Sequence, residues 1–151
     1  MTTIRIPVDV GEAIFDHARS EFPHECCGLL VGRSEAEVFE AQRAANLNLE
    51  QPEVEYELDP RDFIRVQREA ESNHCDIVGF YHSHPQHGAY FSATDHSRAW
   101  PNYLYLVVSV IDGEPRDTRA FVVQYEGHQA VEVPIEWTPR LTIEDSPDTS
   151  A

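Results

Sequence analysis

Residues 76–85 read DIVGFYHSHP and are the most informative segment of this chain, and the segment SATD follows at residues 92–95. Residues 76–82 are rich in β-branched and aromatic side chains, which predicts a strand that Pro85 ends. Side chains two apart on a strand point to the same face, so His82 and His84 present two imidazoles side by side. Imidazole is a common zinc ligand, and the pair therefore predicts a metal site at the strand end.

The SATD segment offers a carboxylate to the same site. Ser92 begins a predicted short helix over residues 92–99, and the loop of residues 86–91 can bring Asp95 back over the strand end. Two histidines and an aspartate leave a fourth position for water, which is typical of a catalytic zinc site. The alternative interpretation of this segment is a helix cap whose acidic residue is favoured by the helix dipole.

A zinc-activated water needs partners before it can hydrolyse a carbonyl compound. Zinc lowers the pKa of bound water to about 7. A base must then take the proton and a donor must stabilise the oxyanion, and Glu25 and the Ser92 hydroxyl are the candidates. From the residues alone, a solvated position between a helix and a strand is the better interpretation of Glu25.

The rest of the pattern predicts one α+β domain. Helical spacing of apolar residues predicts helices over residues 8–22 and 60–73, the second capped by Asp59. Further strands are expected at residues 3–6, 27–31, 37–44, 54–58, 103–111, 118–125 and 129–135. Helices among strands, followed by hairpins, favour a mixed sheet with helices packed on it. Residues 1–138 form the predicted domain, and residues 139–151 a disordered acidic tail.

The charge of the chain excludes several classes of partner. There are 27 acidic residues against 11 basic ones, all arginine, and the formal net charge is −16. Such a field repels nucleic acid and anionic membrane surfaces, so neither is an expected partner. An acidic composition without lysine also gives the hypothesis that the protein works in concentrated salt, where its self-repulsion is screened.

The cysteines and the apolar segments predict a cytoplasmic protein. Cys26 and Cys27 are adjacent and Cys75 makes the number odd, which does not fit a disulfide framework. The N-terminal residues lack the pattern of a signal peptide. The longest apolar run, residues 103–111, is shorter than the roughly 20 residues that a spanning helix needs.

The order and spacing of the site residues resemble the JAMM motif of the MPN+ metalloproteases. That motif has a glutamate, then H-S/T-H-P far downstream, a six-residue gap and S-x-x-D; here the gap is residues 86–91. The segment PHECCGLLVG at residues 23–32 is similar to the P-x-E-x-C-G-L-L-x-G signature of small single-domain prokaryotic members. The resemblance spans residues 4–137 and implies the MPN, or cytidine-deaminase-like, fold of a mixed sheet flanked by helices.

The resemblance also implies a site and an activity. It makes His82, His84 and Asp95 the ligands of Zn²⁺, Glu25 the general base and Ser92 the stabiliser of the tetrahedral intermediate. The implied reaction is hydrolysis after the C-terminal Gly-Gly of a ubiquitin-like sulfur-carrier protein, which removes a cysteine or a short extension. Residues 46–53 and 86–91 are expected to shape the groove for that tail.

Two alternative functions stay open at this point. One is an isopeptidase that removes a ubiquitin-like modifier from lysine, and the other is a non-enzymatic MPN-type protein-interaction module. The sequence also leaves the oligomeric state open.

Overall fold

The structure, a computed structural model, describes residues 2–34, 36–124 and 129–139. Its helices and strands follow one another in the order β1 (Ile4–Pro7), α1 (Val8–Glu21), β2 (Cys27–Ser34), β3 (Glu37–Ala44), α2 (Pro60–Ser72), β4 (Asp76–Pro85), α3 (Ala93–Arg98), β5 (Leu104–Ile111), β6 (Glu114–Val122), β7 (Val131–Val133) and β8 (Ile135–Thr138).

The strands form one mixed sheet in the order β7-β6-β5-β4-β2-β3-β1-β8. β4 is an inner strand, antiparallel to β2 and parallel to β5. β1 runs parallel to both β3 and β8 at the other side of the sheet. This mixed sheet with helices against it confirms the predicted α+β fold class.

A hydrophobic core lies on each face of the sheet. Helix α1 buries Val10 and Ile14 in the first core, and helix α2 contributes Val66 to the second. Along β4 the side chains alternate between them, with Tyr81 in the first core and Phe80 in the second. By the same alternation His82 and His84 face the α2 side and Ser83 faces the α1 side.

A glycine on β2 allows β4 to approach closely. Gly28 pairs with Tyr81, and a Cβ atom at Gly28 would overlap the tyrosine ring. The Tyr81 hydroxyl in turn shares a hydrogen bond of 2.7 Å with Nδ1 of His17 on α1. Gly28, the first glycine of PHECCGLLVG, is therefore required by the Tyr81 ring that packs over it.

The predicted strands differ most from the structure in three segments. The strand predicted at residues 54–58 is wrong, because only an isolated bridge joins Asn46 to Leu58 there. The strand predicted from residue 118 already begins at Glu114. The strand predicted at residues 129–135 is divided at Pro134, after which β8 pairs with β1.

Two predictions concern residues outside the described ranges. They are the strand end at residue 125 and the tail from residue 140 onward. Thr138, the last residue of the predicted domain, is the last residue of β8. In the described ranges no helix has both the length and the apolar character to cross a membrane.

Candidate metal centre

Strand β4 delivers two histidine nitrogens to one point. Nε2 of His82 and Nε2 of His84 lie 3.2 Å apart. His82 is fully buried and His84 is 5% exposed. Nδ1 of His84 donates to the carbonyl oxygen of Gly88 at 2.9 Å, which leaves the lone pair of Nε2 directed at the other histidine.

A helix cap places the carboxylate opposite these nitrogens. Ser92 is the N-cap of α3, and its hydroxyl accepts a hydrogen bond from the backbone N–H of Asp95 at 3.0 Å. The Asp95 carboxylate completes the capping box by accepting from the Ser92 backbone N–H at 2.9 Å. Its two oxygens lie 3.2 Å from the Nε2 atoms of His82 and His84. The capping and ligand interpretations of this segment are thus both compatible with the geometry.

The three groups fit a zinc ion. Around a tetrahedral zinc with bonds of about 2.0 Å, neighbouring ligand atoms lie about 3.3 Å apart. The separations of 3.2 Å among His82, His84 and Asp95 match that value. Two imidazole nitrogens and a carboxylate also bring more lone pairs than protons to one buried point, which a cation relieves.

Glu25, two residues before the start of β2, faces this cluster. Its carboxyl and the two histidine nitrogens all lie within 4.8 Å of one another. The residue is 5% exposed, and its carboxyl has no hydrogen-bond partner among the described residues. The Asp95 oxygens lie 3.2 Å from the two nitrogens, so both Asp95 and Glu25 can reach a metal held between the histidines. The choice of Asp95 as third ligand and of Glu25 as base stays a prediction.

Burial and charge set the protonation of the cluster. Burial raises the pKa of Glu25 to about 8, an effect that His84 opposes and Asp95 reinforces. Burial would also raise the pKa of Asp95, but His82 and His84 hold it well below its usual range. Burial lowers the pKa of His82. Burial opposes but does not prevent a rise in the pKa of His84, which its hydrogen bonds to Asp95 and Gly88 cause. The site therefore holds an ionised aspartate beside a neutral His82, whereas a metal would compete with a proton for His84.

An irregular loop of residues 46–58, here called the covering loop, lies over the cluster and is not recognised as such from the sequence. The ring of Tyr56 stacks on His82 with centroids 4.7 Å apart, in the region predicted as a strand. The Arg98 guanidinium donates to the carbonyl oxygen of Tyr56 at 2.7 Å and lies 3.5 Å from the Glu55 carboxylate. Asn46 ties the same loop to Glu25 by donating to its carbonyl oxygen at 3.1 Å. No local sequence pattern identifies these contacts, because each joins residues far apart in the chain.

Two cavities flank the cluster. The acidic cavity, of about 510 Å³, lies on the Glu25 side and includes Glu21, Glu50 and Glu53 in its lining. The aromatic groove, of about 730 Å³, reaches Asp95 and includes the rings of Tyr56, Phe63, Phe80, Trp100 and Tyr105. A third, much smaller space of about 10 Å³, the narrow passage, shares Glu25 with the acidic cavity and Tyr56, Asp95 and Arg98 with the aromatic groove. Val54, Glu55 and Thr94 complete its lining.

The two segments expected to shape a groove have different surroundings. Residues 46–53 line the acidic cavity through Asn46, Leu49 and Glu53, among others. In residues 86–91, Phe91 is buried, and the half-exposed ring of Tyr90 lies against His84. None of these six residues is among those that line the cavities described above.

The cysteines next to the cluster are neutral thiols. Cys26 and Cys27 are both free and buried. Burial raises the pKa of Cys26 to about 12 and that of Cys27 still further. Because reactive cysteines have accessible thiolates, these two are packing residues.

Comparison with known sequences finds relatives of this chain. The family model for prokaryotic homologs of the JAB domain matches residues 7–124. A desampylase of Haloferax volcanii is 40% identical over 116 residues, which cover 72% of this chain and 84% of that protein. A CysO-cysteine peptidase of Mycobacterium tuberculosis is 32% identical over 117 residues, which cover 77% and 80%.

Solved structures show the same architecture. The solution structure of a Desulfitobacterium hafniense protein superposes with a TM-score of 0.81 at 28% identity, over 95% of this chain and 99% of that one. A JAB1/MPN domain protein of Archaeoglobus fulgidus superposes with a TM-score of 0.53 at 17% identity, over 90% and 100%. The fold is therefore of the JAB1/MPN type. The chain belongs to the family of prokaryotic homologs of the JAB domain, which confirms the family expected from the motif.

Proposed function

We propose that this protein is a zinc-dependent metallopeptidase of the cytoplasm that acts next to the C-terminal Gly-Gly of a ubiquitin-like protein. The observation that supports it best is the buried cluster, in which Glu25 faces the convergent His82, His84 and Asp95 without a hydrogen-bond partner among the described residues. A largely buried carboxyl whose pKa is raised by burial favours a catalytic role over an interaction module, because such groups cluster at functional sites.

The residues divide the work of hydrolysis among them. Zinc held by His82, His84 and Asp95 would supply a Lewis acid for the scissile carbonyl and a water of pKa about 7. Glu25 takes the proton of the attacking water and returns it to the leaving nitrogen, a role suited to a pKa near neutrality. A bound dication lowers that pKa further towards the base form. The Ser92 hydroxyl, which accepts from Asp95, keeps its own hydrogen to donate to the oxyanion.

The shape of the site supports a substrate with a glycine tail. The narrow passage between Glu25 and Asp95 has a volume of about 10 Å³, close to the space that one water needs. A space this small beside Glu25 and Asp95 favours glycine near the scissile bond, whereas the aromatic groove can take larger apolar side chains further along the tail. β5 pairs with β4 as far as Pro85 and β2 pairs with it as far as His82, so the tail cannot add as a strand beside His82.

The leaving group decides between two versions of this function. In the first, a sulfur-carrier protein loses a cysteine or a short extension, and the similarity to a CysO-cysteine peptidase supports that version. In the second, an isopeptidase releases a modifier from lysine. The acidic cavity next to Glu25 supports the second version, because its carboxylates attract cations and repel the free carboxylate of a released cysteine.

A substrate panel tests both versions. A ubiquitin-like protein with a Gly-Gly tail is joined to cysteine, to a short peptide or to the side chain of a lysine, and release is measured by mass spectrometry. Glu25→Gln serves as the matched control, because it keeps the size of the side chain and removes the base; we expect a loss of about 10²–10⁴ in kcat. Equal cleavage of a tail changed to Ala-Ala would contradict Gly-Gly specificity, and no cleavage of any substrate by the zinc-loaded protein would contradict the peptidase itself.

A further inference from the structure

Ser83 lies between the two proposed histidine ligands in sequence but points to the opposite face of β4. It is fully buried, and its hydroxyl accepts a hydrogen bond from the backbone N–H of Cys26 at 2.8 Å. Its own backbone N–H donates to the carbonyl oxygen of Cys26 at 3.1 Å. One residue of the ligand strand thus binds both backbone groups of the residue that follows Glu25.

These two bonds extend the pairing of β2 with β4 to Cys26, the residue before the first residue of β2. The register of the two strands ends at the pair Cys27 and His82. Ser83 extends this pairing by one residue, because its hydroxyl oxygen accepts from the backbone N–H of Cys26. Backbone held in this way stays extended, so that Glu25 points to the same face as Cys27, which is the face of the histidines.

The other contacts of the Glu25 backbone go to the covering loop. Its N–H donates to the carbonyl oxygen of Pro52 at 2.7 Å, and its carbonyl oxygen accepts from Asn46. Since the Glu25 carboxyl has no hydrogen-bond partner among the described residues, its position depends on these backbone contacts. Ser83 provides the contact nearest to Glu25 that comes from the strand bearing the ligands.

We propose that Ser83 is a positioning residue: its hydroxyl fixes the Glu25 carboxyl at the correct distance from the His82–His84 pair. The inference rests on the proposed role of Glu25 as general base. It assigns a task to the hydroxyl that is separate from metal binding, because Ser83 faces away from the ligand atoms. A displacement of about 1 Å in a catalytic group can cost about 10²-fold in rate.

A matched set of variants tests the proposal. Ser83→Thr keeps the hydroxyl, Ser83→Val has the shape of threonine without it, and Ser83→Ala is a smaller variant in case valine does not fit. We expect the threonine variant to keep kcat within about threefold, and the valine or alanine variant to lose about 10- to 100-fold in kcat with KM and zinc content unchanged. Hydrogen exchange of the Cys26 amide should accelerate in the valine and alanine variants only.

Two controls separate positioning from general destabilisation. Val38→Ala creates a core defect at the far end of β2, where Val38 pairs with Gly32, and it should lower stability without lowering kcat. In a Glu25→Gln background, Ser83→Val should cost little further activity, because the group through which it acts is already gone. An additive loss in that double variant would overturn the proposal.

The outcomes distinguish this inference from the proposed function. If the wild type cleaves the Gly-Gly substrates and the threonine and valine variants have equal kcat, only the role of Ser83 is overturned. If the valine variant loses zinc together with kcat, Ser83 supports the ligands instead and the proposal is again overturned. If the zinc-loaded wild type cleaves none of the substrates, the proposed function itself fails. The hydrogen-exchange rates of the Cys26 amide then show separately whether this amide is bound by the Ser83 hydroxyl.

Discussion

The Tyr56 ring lies over the His82 ring, with centroids 4.7 Å apart and planes inclined by 27°. Tyr56 belongs to the covering loop, and His82 is the fully buried member of the proposed ligand set. The Nδ1 atom of His82 has no hydrogen-bond partner in the described residues. Stacking on Tyr56 therefore takes the place of the hydrogen bond that usually orients a ligating histidine.

Removal of the Tyr56 ring should weaken metal binding. We expect Tyr56→Ala to lower zinc affinity by about 10- to 100-fold, the range seen when groups that orient ligands are lost. Tyr56→Phe keeps the stacked ring and is the matched control, with affinity close to that of the wild type. Competition with a chromophoric chelator measures both, and equal affinities for the two variants would contradict the orienting role.

Glu25 should destabilise the zinc-depleted protein as the pH rises. Its folded pKa of about 8 lies above the ordinary 4.5, so the folded state holds a proton that the unfolded state has lost between these values. Stability due to this group is then present at low pH and is lost progressively between pH 4.5 and 8. With a chelator present, the free energy of unfolding of Glu25→Gln should rise relative to that of the wild type by more than about 2 kcal/mol as the pH goes from 4 to 8. Parallel urea-unfolding profiles for the two proteins would contradict this.

His17 should make the protein less stable as the pH falls, which is the opposite of the pH dependence expected from Glu25. Burial, with a smaller contribution from Arg43, lowers its pKa from 6.5 to about 4, so the unfolded state binds the extra proton between these values. Stability is therefore lost as the pH falls from 6.5 to 4, by roughly 2–3 kcal/mol. In His17→Gln this slope should disappear, although the variant loses the contact with the Tyr81 hydroxyl. A variant that keeps the wild-type slope between pH 7 and 4 would show that another group is responsible.

Salt should stabilise the whole chain. The net charge of −16 is carried by one short chain, and its self-repulsion is screened as the Debye length falls from about 10 Å at 0.1 M to about 3 Å at 1 M salt. We expect the urea midpoint to rise steadily between 0.1 and 2 M KCl. Full stability without added salt would contradict the hypothesis that the protein is adapted to concentrated salt.

Local patterns in the sequence predict much of the fold and the residues of the candidate site. The β-formers before His82 predict β4, and Asp59 followed by Pro60 predicts the start of α2, where Asp59 accepts from the Arg61 N–H. The residues Ser92 to Asp95 form the cap expected from their spacing. Each of these features depends on neighbours in sequence, and for that reason it can be predicted.

The features that sequence analysis missed depend on contacts between distant residues. Residues 54–58 alternate like a strand, but Asn46 satisfies the backbone there by accepting from Glu57 and donating to the carbonyl oxygen of Glu55. β8 pairs with β1 from the opposite end of the chain, which no local pattern specifies. The stacking of Tyr56 on His82 and the hydrogen bond from Arg98 to the carbonyl oxygen of Tyr56 both depend on the irregular loop that contains residues 54–58.

The zinc content of three purified proteins distinguishes the metal ligands from the general base. The wild type, Glu25→Gln and Asp95→Ala are reconstituted with zinc at neutral pH, dialysed and measured by elemental analysis. The assignment of His82, His84 and Asp95 as ligands, with Glu25 as base, predicts about one zinc per chain in the wild type and in Glu25→Gln, and almost none in Asp95→Ala. Zinc that is lost in Glu25→Gln but retained in Asp95→Ala would show that Glu25, and not Asp95, is the third ligand. A wild type that binds no zinc would contradict the metallopeptidase itself.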